Sequence, residues 1–119
     1  MDSKYFFPLS QFRRRHLRHV ASAAVTQYID DVGVKSGYMH KVDRVAIENL
    51  NSAFTRLRIG SWDGSFFNLL SEQRSPLAGV LYWTIDPFYL LEDERLRVEI
   101  VGASASDIIN VYVDEFFKE

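Results

Sequence analysis

The sequence contains no cysteine, which excludes disulfides, thiolate nucleophiles and Cys-ligated zinc or iron–sulfur centres. It has no uncharged apolar stretch of the roughly 18 residues that a membrane-spanning helix needs. Its first eight residues, Met-Asp-Ser-Lys-Tyr-Phe-Phe-Pro, put an acid at position 2 and offer no apolar run of signal-peptide length. These absences lead to the expectation of a soluble, cytoplasmic protein. An excess of either charge is also missing: 14 Lys and Arg stand against 16 Asp and Glu, a formal net charge of −2. With a pI near 5.9, the field of the whole protein does not attract nucleic acid, so any such binding has to be local.

Catalytic signatures are absent as well. There is no Gly-x-Ser-x-Gly, no glycine-rich phosphate loop and no His-Glu-x-x-His. Of the three histidines, His16 and His19 are three apart, a spacing two metal ligands on a helix can use, with His40 the one remaining candidate. Four arginines surround that pair and repel a dication. No catalytic residue, metal ligand or cofactor is assigned.

What is present is an ordinary supply of core-forming side chains. The 119 residues are 47% hydrophobic and include nine Phe, six Tyr and two Trp, enough for one domain that buries roughly two thirds of its unfolded surface. The organising stretch is 77–101. Within it Leu96, Val98 and Ile100 alternate with Arg95, Arg97 and Glu99, the period-two pattern of a half-buried strand. Residues 80–85 carry apolar or aromatic side chains on both faces, as in a strand covered on both sides. These two segments are expected to be the centre of one antiparallel sheet.

The flanking segments carry helical spacings. Leu17, Val20, Ala21, Ala24, Val25, Tyr28, Ile29 and Val32 recur on one face of a helix, predicting a long first helix over 10–32 with Ser10 as its cap and Gly33 and Gly37 beyond its end. Ala46, Leu50, Ala53, Phe54 and Leu57 predict a second helix over 43–55, capped by Asp43. Segment 55–70 is read as a hairpin around Asp63-Gly64, with a continued helix as the competing reading. Ser104-x-x-Asp107 resembles a capping box and precedes a C-terminal helix over 108–117, although the β-branched content there also suits a strand. Residues 1–8 are expected to pack on the domain. The fold class predicted is α+β: two helices, an antiparallel sheet of three or four strands and a C-terminal helix, in a single domain over 1–119.

Two charged features stand out. The run Arg13-Arg14-Arg15-His16-Leu17-Arg18-His19 would place Arg14, Arg15, Arg18 and His19 together on a helix, with Asp114, Glu115 and Glu119 as the chain's own acids available to neutralise it. Acids gather at Asp30-Asp31 and at Glu92-Asp93-Glu94. Trp62, beside Asp63-Gly64, is expected to be an exposed interface anchor. The leading functional expectation is a small partner-binding protein, such as an inhibitor or toxin-neutralising immunity protein. It would occlude another protein through the acidic residues Asp30, Asp31, Glu92, Asp93 and Glu94, or through Arg14, Arg15, Arg18 and Trp62. The alternatives are nucleic-acid binding through the arginine run, and a small enzyme or ligand-binding domain with a pocket lined by polar groups together with Trp or Tyr.

Overall fold

A computed structural model describes residues 11–118 of the chain. It has nine strands and, among the described residues, no helix. They are β1 (Gln11–Val20), β2 (Thr26–Asp30), β3 (Met39–Asn49), β4 (Arg56–Trp62), β5 (Phe67–Arg74), β6 (Tyr82–Trp83), β7 (Phe88–Leu90), β8 (Arg95–Val101) and β9 (Ile108–Lys118). One sheet runs β1-β9-β3-β6, with β7 also on β3; the other runs β2-β8-β4-β5, and all pairings given are antiparallel. The two sheets face each other across one continuous core, built from Val45, Ile47, Val111 and Val113 on one side and Leu57, Ile59, Val98 and Ile100 on the other. This is a β-sandwich, and the α+β expectation is overturned.

The predicted helix over 10–32 is two strands in opposite sheets. The chain crosses between them at 21–25, where the buried Gln27 side chain accepts from the Ser22 amide (2.8 Å) and donates to the carbonyls of Ser22 (3.1 Å) and Ala24 (3.0 Å). The apolar stripe does not survive as a buried face: Val25 is 71% exposed and Val32 77%. The predicted helix over 43–55 is mostly β3. A register shift between Val42 and Arg44, with Asp43 as the extra residue, makes the inward apolar spacing 42, 45, 47, which imitates a helical interval. The segment 108–117 is β9, the centre of its sheet between β1 and β3, with Ile109, Val111 and Val113 facing the core. Ser104 and Asp107 do pair, through a Ser104 amide to Asp107 Oδ2 hydrogen bond of 2.9 Å, but in the turn before β9.

Residues 95–101 form the expected strand, and 55–70 the expected hairpin. The expected partner of β8 is wrong, because β6 lies in the other sheet. Only Tyr82 and Trp83 of the segment 80–85 are strand, bounded by Gly79 at φ 72° and, beyond, by Pro87, which has no amide to donate. The expectations for Ser10 and for residues 1–8 lie outside the described residues.

Candidate protein-interaction site

Strand geometry decides where the charged run goes. Alternation along β1 sends Arg13, Arg15 and His19 to the inner side of the sheet and Arg14, His16 and Arg18 to the outer side. On the inner side, Glu115 has 0% exposure and its Oε1 accepts from Arg13 Nε (2.6 Å) and Arg15 Nε (2.9 Å). Arg15 also bridges to the buried Asp31, with Nη1 to Oδ1 at 2.6 Å. That hydrogen bond is the first reason its guanidinium is held above its ordinary range, against the opposing effect of burial. His40 Nδ1 lies 3.3 Å from Glu115 Oε2. Burial pushes the His40 imidazolium down, Glu115 pulls the other way, and Arg13 and Arg15 add to the lowering, so the ring favours its neutral form.

On the outer side Arg14 is forked onto Asp114 at 2.6 and 3.1 Å. Asp30 is forked in the same way onto Arg97, both contacts at 2.7 Å, and the Arg97 guanidinium lies over the rings of Trp62 (4.0 Å) and Tyr28 (4.6 Å). Trp62 is half-buried under that cation. The basic and acidic residues singled out in the sequence are thus brought together with each other, or with further partners inside the chain. Arg15 meets Asp31, and Trp62 meets Asp30 through Arg97. Glu92 and Glu94 accept backbone hydrogen bonds from Gly37 (3.0 Å) and Leu91 (2.7 Å), and Asp93 sits exposed between them at φ 69°. Among the candidates, the side chains of Arg18 and Asp93 make no hydrogen bond or ion pair among the described residues, although the Asp93 amide donates to the Val34 carbonyl (3.0 Å).

The surface without such satisfaction lies on the other side of the sandwich. Strand β5 has β4 as its one neighbour among the described residues, leaving the main-chain groups of its second side unpaired by the ladder. The β4–β5 hairpin is set by Asp63, whose Oδ1 accepts from the amides of Ser65 and Phe66, each at 2.8 Å. Those two bonds, Phe66 first, hold its carboxyl below the usual range. Further along, the register steps from Ile59↔Ser71 to Gly60↔Leu69, so Leu70 has no opposite number and leaves the alternation. Gly60 is required there: a Cβ would overlap the carbonyl oxygen of Asn68 and meet Phe67 Cε1 at 2.7 Å.

Displaced by the bulge, Leu70 lines a groove of about 480 Å³ between β5 and the segment 82–88. The core residues Leu57 and Ile59 form its floor, and Tyr82 and Phe88 stand opposite Leu70. Exposed apolar side chains stand at its rim, Leu70 48%, Trp83 57% and Ile85 88% exposed, beside the polar Glu72, Gln73 and Asp86. Leu77, Val80 and Leu81 continue the exposed apolar surface along the segment leading to β6. An apolar patch of this kind on a small domain is a candidate contact surface. Sequence reasoning missed it, because 80–85 looked like a strand buried on both faces. The available signal was punctuation: Pro76, Gly79 and Pro87 leave too little room for a long strand.

No family model matches the chain, and no characterised protein matches it by sequence. It is similar in structure to a solved chain described as "CBM4 structure and function", with a TM-score of 0.37 and 11% identity over 87% of this chain and 81% of that one. It is similar too to dimeric latent PorU from Porphyromonas gingivalis, with a TM-score of 0.37 and 11% identity over 88% of this chain and 13% of that one. At these values neither likeness carries an argument about fold or function.

Proposed function

We propose that the chain is a partner-binding module, and that its working surface is the β5 edge with the adjoining groove. The occupant is an extended, apolar segment of another protein, added to β5 as a further strand. The observation that carries this reading is the coincidence of an edge strand, open on its second side among the described residues, with exposed Leu70, Trp83 and Ile85 over an opening onto core residues. Main-chain pairing along Phe67–Arg74 supplies affinity and the groove supplies selection for an aliphatic or aromatic side chain. Occlusion of the partner, as by an inhibitor or immunity protein, is one use of such an edge. The internal pairing of Asp30 and Asp31 supports moving the contact away from those acids.

The test is a pull-down from the source organism with two baits, wild type and a Leu70→Lys/Ile85→Lys variant. Two aliphatic contacts at about 2 kcal/mol each amount to roughly a thousandfold in affinity. The expected outcome is a protein retained in equal amount by the wild type and absent from the variant. Equal retention by both baits rejects the edge as the contact surface. Recovery of nucleic acid instead, released by salt, transfers the reading to the arginine strand.

A further inference from the structure

On the outer face of the β1-β9-β3-β6 sheet, four residues stand in one row across the strands: His16, Tyr112, Ala46 and Trp83. The His16 and Tyr112 rings are stacked, centroids 4.8 Å apart and planes 12° off parallel. Stacking between cross-strand neighbours means that both rings stand upright on the sheet, face to face along the row. One face of Tyr112 is therefore covered by His16, and the other looks across the small Ala46 side chain toward Trp83. Trp83 and Tyr112 are two strand spacings apart, about 9.5 Å, and one ring inserted at a stacking distance of about 5 Å from each fills that interval. A cleft of about 320 Å³ occupies this position, lined by Ala46, Trp83, Tyr112, Leu81, Arg14, Arg44 and Asp114.

The wall is held in place before any ligand arrives. His16 Nε2 is 2.7 Å from Asn110 Oδ1, Asn110 Nδ2 donates to Glu48 Oε1 at 3.3 Å, and the Tyr112 hydroxyl donates to the same oxygen at 3.1 Å. The two ends of the cleft differ in charge. At one end lies the row Arg14–Asp114–Arg44, in which Asp114 is committed to Arg14. The side chain of the exposed Arg44 makes no ion pair or hydrogen bond among the described residues. At the other end stands the row Arg18–Asn110–Glu48, where one cation faces one acid and Glu48 is taken up by Asn110 and Tyr112. Two cations against one acid leave the first end net positive, with a guanidinium able to fork onto a carboxylate.

We propose that this cleft is a binding site for a small ring-shaped molecule bearing a single carboxylate, with the ring between Trp83 and Tyr112 and the carboxylate on Arg44. The site is separate from the β5 groove, sharing only Trp83 with it. The experiment is a titration of ¹⁵N-labelled protein with benzoate and with D-glucuronate, each beside its uncharged counterpart, benzamide and D-glucose. The Ala46 amide and the Trp83 indole N–H report binding. At least one acid is expected to shift both signals saturably and to bind about tenfold more tightly than its uncharged counterpart, the value of one charge-assisted contact. The benzoate and glucuronate arms decide between a flat and a puckered ring. Arg44→Gln removes the tenfold advantage, Ala46→Leu fills the floor and abolishes the shifts, and Ile85→Lys leaves the titration unchanged. The proposal is overturned if neither acid saturates by about 20 mM, a limit corresponding to a few kcal/mol. It is also overturned if acid and uncharged counterpart bind equally, or if Arg44→Gln binds as the wild type does.

Discussion

Glu115 is the residue on which the inner end of the sandwich depends. A fully buried carboxylate is costly unless its charge is answered, and Arg13 and Arg15 answer it. Glu115→Ala leaves the half-buried Arg15 without its inner partner and is expected to cost about 3 kcal/mol in urea unfolding. The exposed Arg14–Asp114 pair is screened by water, so Arg14→Ala leaves the urea midpoint within experimental scatter. Two titrating groups give stability a pH dependence in separate windows. The pKa of His40 is lowered on folding, so its contribution is complete above the ordinary value of about 6.5 and is lost as pH falls from there through the folded value. Unfolding free energy is expected to decline below that point, and His40→Gln to flatten the decline. Asp107 is also lowered: burial raises it, but hydrogen bonds from Ser52, Asn49 (2.9 Å) and the Ser104 amide (2.9 Å) outweigh burial. Its contribution is present above the ordinary carboxylate value of about 3.9 and is lost as pH falls through the folded value, so Asp107→Asn removes an acid-limb slope.

At the scale of elements, what could be read from the sequence was what is local. Leu96, Val98 and Ile100 alternate cleanly because β8 lies inside its sheet with one face on the core and the other carrying Arg97 paired to Asp30 and a buried Glu99 paired to Arg56. The Asp63-Gly64 pair sets its own turn, with Gly64 at φ 100°. The three predicted helices failed for separate physical reasons. In β1 the inward positions are held by Arg13 and Arg15, whose burial rests on Glu115 about a hundred residues away, so the period-two signal is written in charge and not in apolar side chains. In β3 the bulge at Asp43 breaks the period. In β9 the alternation of Ile109, Val111 and Val113 was visible, but a capping pair that closes a turn equally well tipped the reading toward a helix. Each choice depends on non-local pairing that local spacing does not register. The same bulge logic gives a prediction at Gly60: Gly60→Ala forces β5 away from β4, expected to cost about 1 to 3 kcal/mol in urea unfolding.

For the whole molecule, the two long sides of the sandwich differ. On the β1–β2 side the sheets are tied by Arg15 to Asp31 and by His19 to Gln27 at 3.1 Å. On the β5 side the facing β1-β9-β3-β6 sheet ends in the two short strands β6 and β7, and the core residues Leu57 and Ile59 look out through the groove. Of the candidate contact residues found from sequence, Asp30, Asp31, Arg14 and Arg15 lie in ion pairs, whereas Leu70 and Ile85 emerged only from the register shift and the breakdown of the 80–85 strand. The most direct measurement is site-specific photocrosslinking in cells of the source organism, with a photoreactive amino acid at Leu70 on the groove and, as control, at Thr26 on the opposite edge strand. One discrete protein adduct is expected from position 70 and none from position 26. Adducts of equal yield at both positions, or an adduct from position 26 alone, would contradict the β5 edge as the contact surface.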